Sequence, residues 1–372
     1  MPFRLEPRAV SSRTMTYASP LIAVALTMLT GYVIFCPLGK DPAAAFSSFF
    51  IAPLDNRYGL GELLLKASPL MLIATGLSIG FRANIWNIGA EGQLALGAIA
   101  ASGIALYVHP PTAWLVLPTM IVAGALGGMA WAAIPAFLRT RFNANEILVS
   151  LMLTYVGLLL LSYLVHGPWR DPAGLNFPQS QEFDGDALFP IIWPGTRLNA
   201  SIFIALAAVA AGWVFMKKSF LGYQLRVAGL AGGAARYAGF DATRLVWVGL
   251  LAGGAAAGLA GVGEVAGPIG QLLPSVSPGY GFAAIIVAFV GRLQPLGIVL
   301  ASLLMSLLYL GGEQAQIALN LPSAITGVFE GVLLFYLLGC DVFINYRLRW
   351  RPRTPAQAAR TAVVSVAEVR TP

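Results

Sequence analysis

The chain has 372 residues, of which 58% are hydrophobic and only 10% charged, with a formal net charge of +7 and a mean hydropathy of +0.75. A soluble domain carries about 25% charged residues, so this composition excludes a water-exposed globule, a disordered chain and a nucleic-acid-binding arm. The apolar runs are long and continuous, unlike the alternating segments of about ten residues in a transmembrane β-barrel, and the expected fold class is an all-α polytopic membrane protein.

Residues 1–16 are polar and basic, with Arg4, Arg8 and Arg13. No small-residue cleavage site follows them, so the first apolar run, 17–36, is expected to persist as a span. Further runs occupy 61–80, 86–107, 113–138, 146–165, 199–216, 243–266, 280–291, 295–312 and 323–340. At about 20 apolar residues per crossing, these predict about ten transmembrane helices. The run at 280–291 is short, and a broken or re-entrant segment is the other reading there. The expected organisation is a cytoplasmic N-terminal segment (1–16), a transmembrane domain (17–340) and a basic cytoplasmic tail (341–372).

An even number of spans places both termini on one side, and cytoplasmic loops carry the excess of Lys and Arg. With the termini cytoplasmic, eighteen of the 23 basic residues fall on the inner side, leaving Lys40, Arg57, Lys66, Arg170 and Arg197 outside. The net positive charge therefore reads as topology rather than as affinity for nucleic acid. Two connections are long: an outer one, 167–198, rich in Pro, Gly and acids, and an inner one, 217–242. Cys36 and Cys340 lie far apart at the edges of apolar runs, where core packing is expected and a disulfide is not. His109 and His166 are isolated, as span-end residues would be.

Motifs for chemistry are missing. Gly212 to Ser219 (GWVFMKKS) lacks the second glycine of a phosphate loop, and no HExxH, GxSxG or cysteine pair occurs. No catalytic or metal-binding residue is assigned, and the energy for any transport must come from an ion gradient or a separate subunit. The inner connection is the most informative segment. Leu221-Gly222-Tyr223-Gln224-Leu225-Arg226 and Ala234-Ala235-Arg236-Tyr237-Ala238 can form two short helices, separated by Gly229, Gly232 and Gly233. Gly239 would end the second as a left-handed cap. Spacing alone leaves two readings open, a partner-docking pair and an ordinary basic loop.

A second constellation, Gly80 to Gln93 (GFRANIWNIGAEGQ), joins the second and third spans. Asn87, Glu91 and Gln93 enter the apolar run, and an acid deep in a spanning helix costs about 2.5–3.5 kcal/mol on insertion scales. These three are the candidates for lining a substrate path; closing a helix end at interface depth is the other reading. Glu62 and Lys66, at i,i+4, are expected to pair along one helix face. Asn145, Glu146, Gln314 and Glu330 are further polar groups within runs. Glu264 follows a small-residue stripe from Gly249 to Gly263 that reads as a helix-packing face, and its place near the outer end of the span suggests contact with solvent.

The stretches GFRANIWNIGAEGQ, NEILVSLMLTY with HGPWRDP, LGYQLRVAGLAGGAARYAGF and SPGYGFAAIIVAFVGRLQPLGIVLASLLM follow one another across residues 60–340. Together they resemble the transmembrane permease subunit of an ATP-binding-cassette importer of type II architecture. The group is the ribose/simple-sugar and branched-chain amino-acid permease superfamily, and the nearest resemblance is to its nucleoside-type subgroup. The resemblance implies that 221–239 couples to a cytoplasmic ATPase, with Gly222, Arg226, Gly229, Ala235, Arg236 and Gly239 at matching positions. It also implies an extracytoplasmic substrate-binding protein, a second related permease as heterodimer partner, and a place in a bacterial inner membrane. The implied function is ATP-driven import of nucleosides or a related ribosyl compound by alternating access. This chain would be no enzyme and would carry no cofactor; ATP belongs to the partner. A simple-sugar permease and an ion-coupled secondary carrier are the alternatives. The chain departs from the group's pattern at Leu230-Ala231-Gly232-Gly233, where an Asn-Pro-like turn is usual.

Overall fold

A bilayer offers no water to backbone amides, so long apolar runs satisfy their hydrogen bonds internally as helices. The computed structural model describes residues 3–8, 12–36, 39, 41–108, 112–320, 322 and 324–350. The expectations for His109 and for the tail beyond Trp350 fall outside these residues. In chain order the elements are β1 (Phe3–Pro7), α1 (Arg13–Phe35), α2 (Pro42–Phe46), α3 (Arg57–Phe81), α4 (Ala90–Tyr107), α5 (Val116–Phe142), α6 (Glu146–His166) and α7 (Ser201–Lys218). There follow α8 (Phe220–Leu230), α9 (Gly232–Tyr237), α10 (Ala242–Glu264), α11 (Tyr280–Val290), α12 (Pro295–Leu319), α13 (Ala324–Asn345) and β2 (Tyr346–Trp350).

Among the described residues eight helices are long and apolar enough to cross a membrane: α1, α3, α5, α6, α7, α10, α12 and α13. The two remaining runs behave differently, for local reasons. The run at 86–107 enters its helix, α4, only at Ala90, because the Asn87 side chain accepts a hydrogen bond from the Gly89 amide at 3.0 Å and so competes with helical bonding. The short run at 280–291 becomes the 11-residue α11, about 16 Å long, half the thickness of a bilayer core. A second short apolar helix, Ala43–Leu54, was not foreseen from the apolar runs.

The chain forms two compact units, one of residues 1–38 with 331–372 and one of residues 39–330. In the larger unit α3 and α10 are the most buried spans, and α10 packs on α3, α4 and α5. The small-residue stripe explains the closeness. A Cβ on Gly258 would lie 2.1 Å from the Gly124 carbonyl oxygen, and one on Gly254 would lie 2.5 Å from that of Gly128. Any larger side chain on this face would push the helices apart, and dispersion contact is the main force holding helices together in lipid.

In the smaller unit β1 pairs antiparallel with β2, from Phe3 opposite Trp350 to Pro7 opposite Tyr346, so the two terminal segments lie side by side. The Ser19 hydroxyl donates to Asp341 Oδ1 at 2.5 Å, and the Thr30 and Tyr336 hydroxyls are 2.7 Å apart. Cys340 is buried, as expected, whereas Cys36 is exposed: it lies just past the last turn of α1, where its thiol donates to the Tyr32 carbonyl.

Candidate functional site

The segment after α7 folds as two helices because each end is specified locally. The Ser219 hydroxyl caps α8 by accepting from the Gly222 amide at 2.9 Å. Gly222 lets α8 press against the end of α7, since a Cβ there would lie 2.4 Å from the Phe215 carbonyl oxygen. Gly229 does the same two turns further on: its Cβ would lie 1.9 Å from the Arg82 carbonyl oxygen, while the Asn84 side-chain Nδ2 donates to the Gly229 carbonyl at 2.9 Å. The chain breaks at Ala231, whose φ is −151°, and Gly239 ends the second helix at φ +75°. Gly239 thus takes the expected left-handed cap. The three glycines expected to separate the helices do not: Gly229 lies inside α8, Gly232 and Gly233 open α9, and Ala231 alone makes the break. Steric seating, rather than backbone freedom, is what Gly229 provides.

Leu225 and Ala235 face inward, and Arg226 and Arg236 are exposed. Leu230 is 89% and Tyr237 97% exposed, and Phe220 and Tyr223 also face outward. The rings of Phe220, Tyr223 and Phe240 cluster with centroids 6.1–6.3 Å apart. This segment thus carries an aromatic face beside its charge. The sequence signal is the recurrence of Phe220, Tyr223, Tyr237 and Phe240 within a loop otherwise made of small and basic residues.

The second constellation lies directly above. Asn87 and Gln93 exchange two hydrogen bonds, Asn87 Nδ2 to Gln93 Oε1 at 2.8 Å and Gln93 Nε2 to Asn87 Oδ1 at 3.1 Å. Glu91 Oε2 accepts from the Gly281 amide at 2.6 Å, at the first turn of α11. These side chains are 2%, 1% and 4% exposed respectively. Asn87, Glu91 and Gln93 therefore form one buried junction between the start of α4 and the start of α11, and none lines a described cavity. Phe81, Trp86 and Phe289 stack beside it with centroids 5.1–5.7 Å apart.

At the other end of α3, a cavity of about 310 Å3 is lined by Glu62, Lys66, Arg197, Glu264 and Glu313, with Tyr280 and Ser277. The expected i,i+4 pair of Glu62 and Lys66 does not form. Glu62 accepts two bonds from the Arg197 guanidinium, at 2.8 and 2.6 Å, and Lys66 pairs with Glu313 at 2.8 Å. A planar guanidinium matches a carboxylate in a way that a single ammonium does not, so the loop residue displaces the helix neighbour. That bond is the main reason the Arg197 pKa stands above its ordinary value. Glu264 is buried against this cavity rather than meeting solvent at the helix end. The 167–198 connection is tied to the chain beyond α10, through Ser180 N to Leu272 O at 3.0 Å, Phe183 N to Gly270 O at 2.8 Å and Phe189 N to Ala266 O at 2.8 Å.

The other polar groups have local roles. The Asn145 side chain caps α6 and Glu146 pairs with Arg139. Gln314 is exposed on α12, and His166 is exposed at the end of α6. The side chain of Glu330 lies outside what is described.

Residues 59–338 match the family described as the branched-chain amino acid transport system permease component. The chain belongs to that family. The glucose ABC transporter permease protein of Haloferax volcanii is 36% identical over 355 residues, covering 93% of each chain. The guanosine ABC transporter permease protein of Bacillus subtilis is 29% identical, covering 86% of this chain and 92% of its own length. The nucleoside ABC transporter permease protein of Lactococcus lactis is 27% identical, covering 88% and 92%. No solved structure matches the chain. The permease is thus a multi-pass membrane transport subunit with an all-α membrane domain.

Proposed function

We propose that this permease is the membrane subunit of an ATP-driven importer that passes nucleosides or a related ribosyl compound inward by alternating access. ATP is bound and hydrolysed on a separate cytoplasmic subunit, which seats on residues 221–239. Gly222, Gly229 and Ala235 hold that segment against the bundle, Gly239 ends it, and Arg226 and Arg236 present its charge. The 167–198 connection receives a substrate-loaded binding protein, and a second related permease completes the assembly. The antiparallel pairing of β1 with β2 and the inner placement of eighteen of the 23 basic residues support cytoplasmic termini in a plasma membrane.

One observation carries this reading: the two constellations named from sequence are in contact. The Gly229 backbone lies against Arg82 and Asn84, just before the Asn87–Gln93 pair begins. From there Glu91 reaches the first turn of α11. A displacement of α8 would therefore be passed to the junction of α4 and α11 through packed backbone rather than through a flexible loop. On this reading Asn87, Glu91 and Gln93 shape the substrate path by fixing that junction.

Arg226→Glu is expected to leave the permease inserted while abolishing co-purification of the ATPase and uptake. Normal co-purification together with normal uptake would overturn the coupling role. Glu91→Ala should reduce uptake with the ATPase still bound; unchanged uptake would return Glu91 to a purely structural contact. The names of two relatives favour a nucleoside, and the greater identity to a glucose permease supports a second reading, a simple sugar. Uptake of labelled guanosine competed by adenosine, cytidine, ribose and glucose separates the two.

A further inference from the structure

A second cavity, of about 300 Å3, lies at the Arg82 end of α3, between α7, α8 and the start of α12. Three cations line it, Arg82, Lys217 and Arg226, and no acid stands among its described lining residues. Positive-inside bias accounts for basic residues at this end of the bundle, but not for their convergence on one cavity. Arg82 is partly buried, and its guanidinium donates to the Leu293 carbonyl. Burial first, and then the neighbouring Arg226, lower its pKa from the ordinary value, as two like charges without a counter-ion must.

Val209, Met216 and Ile298 make part of the wall apolar, and other parts of it add to the positive polarity. Gln294 and Pro295, which open α12, line the cavity. Gln294 offers no side-chain cap to that helix, so the positive end of the helix dipole adds to the cations. Thr75 also lines the cavity, and its hydroxyl is buried with no hydrogen-bond partner among the described residues. The turn into α12 is held at positive φ in two successive non-glycine residues, Arg292 and Leu293, at 55° and 54°. Such backbone is retained where the surroundings demand it, and here it aims the Leu293 carbonyl at Arg82.

We infer that this cavity is a binding site for a phosphate-bearing anion, held by Arg82, Lys217 and Arg226 beside the positive end of α12. Arg226 stands on α8 and Arg82 follows α3, so a bound phosphate would tie the segment after α7 to the bundle. Two sources share this chemistry, a soluble phosphate ester and the headgroup of an anionic phospholipid.

The test uses the full chain purified in detergent. Inorganic phosphate and glycerol 3-phosphate are titrated against its unfolding temperature, with chloride at matched ionic strength as the control. In parallel, native mass spectrometry counts the phosphatidylglycerol retained after extraction from vesicles of phosphatidylglycerol and phosphatidylcholine. A saturable rise in unfolding temperature with either soluble phosphate identifies the soluble source; retention of phosphatidylglycerol without that rise identifies the lipid. In either case Lys217→Gln and Arg82→Gln should each weaken binding about tenfold, the effect of removing one charge-assisted hydrogen bond. Lys217→Gln guards against misfolding of the Arg82 variant, because among the described residues the Lys217 ammonium has no ion pair and lies over the Trp213 ring, at 5.0 Å. Absence of both phosphate and lipid binding, or equal binding by Lys217→Gln and the parent chain, would overturn the site.

Discussion

The two cavities at the ends of α3 are nearly equal in size, about 310 and 300 Å3, yet they handle charge in opposite ways. Around Glu264, two acid–base pairs, Glu62 with Arg197 and Lys66 with Glu313, meet within the chain. Around Arg226, three cations converge without an acid among the described lining residues. At the first wall both cations meet acids of the same subunit, and Glu264 is buried there as a third acid. The second needs a counter-charge from outside it, and it is the wall that contains α8. Pairing within the fold thus separates an end whose cations are matched by acids of the same subunit from an end whose cations are not.

The largest effect is expected where a completed pair is broken. Arg197→Met should destabilise the permease by about 3 kcal/mol, the lower end for orphaning one member of a buried pair, because the Glu62 side chain is 4% exposed while that of Arg197 is 52% exposed. The measurement is thermal unfolding in detergent, with Glu62→Gln in the same chain restoring most of the loss. Because the folded pKa of Arg197 is raised, its contribution is fully present below the ordinary guanidinium value. The loss should therefore be the same from about pH 6 to about pH 9. A loss that vanished within that window would show that another group holds Glu62.

Next comes Gly229→Val, at the opposite end. A β-branched side chain against the Arg82 carbonyl should cost about 2 kcal/mol through overpacking, and uptake should fall with it. Gain of stability from better helix propensity would mean that α8 does not sit against the Arg82–Asn84 turn. Lys66→Gln should matter less, about 0.5 kcal/mol, because Glu313 is half exposed; a loss as large as that of Arg197→Met would erase the distinction between the two pairs. The smallest effect on folding belongs to Tyr237→Ser, for which no change in unfolding temperature is expected. Weaker retention of the ATPase in that variant would place the aromatic face in the docking surface, and unchanged retention would remove it.

Residue spacing made the membrane class, most helix positions and the two-helix form of 217–242 legible, because each depends on neighbours within one turn. The i,i+4 expectation for Glu62 and Lys66 failed because spacing cannot weigh a helix neighbour against a guanidinium arriving from a loop 135 residues away. Gly229 was legible as important but not in its role: only the approach of the Arg82 carbonyl reveals that the missing side chain makes room. Asn87, Glu91 and Gln93 were legible as costly polar groups in an apolar run. That the first and last bond each other while Glu91 fixes α11 depends on how α4 and α11 meet.

The sequence by itself determined that this protein lives in a membrane and where its helices run, because hydrophobic transfer and backbone hydrogen bonding act along the chain. Tertiary structure alone decided which charges are paired. Coulomb attraction and hydrogen-bond geometry act through a few ångströms of space, and those distances exist only after Gly124, Gly254, Gly258 and their neighbours have let the helices close.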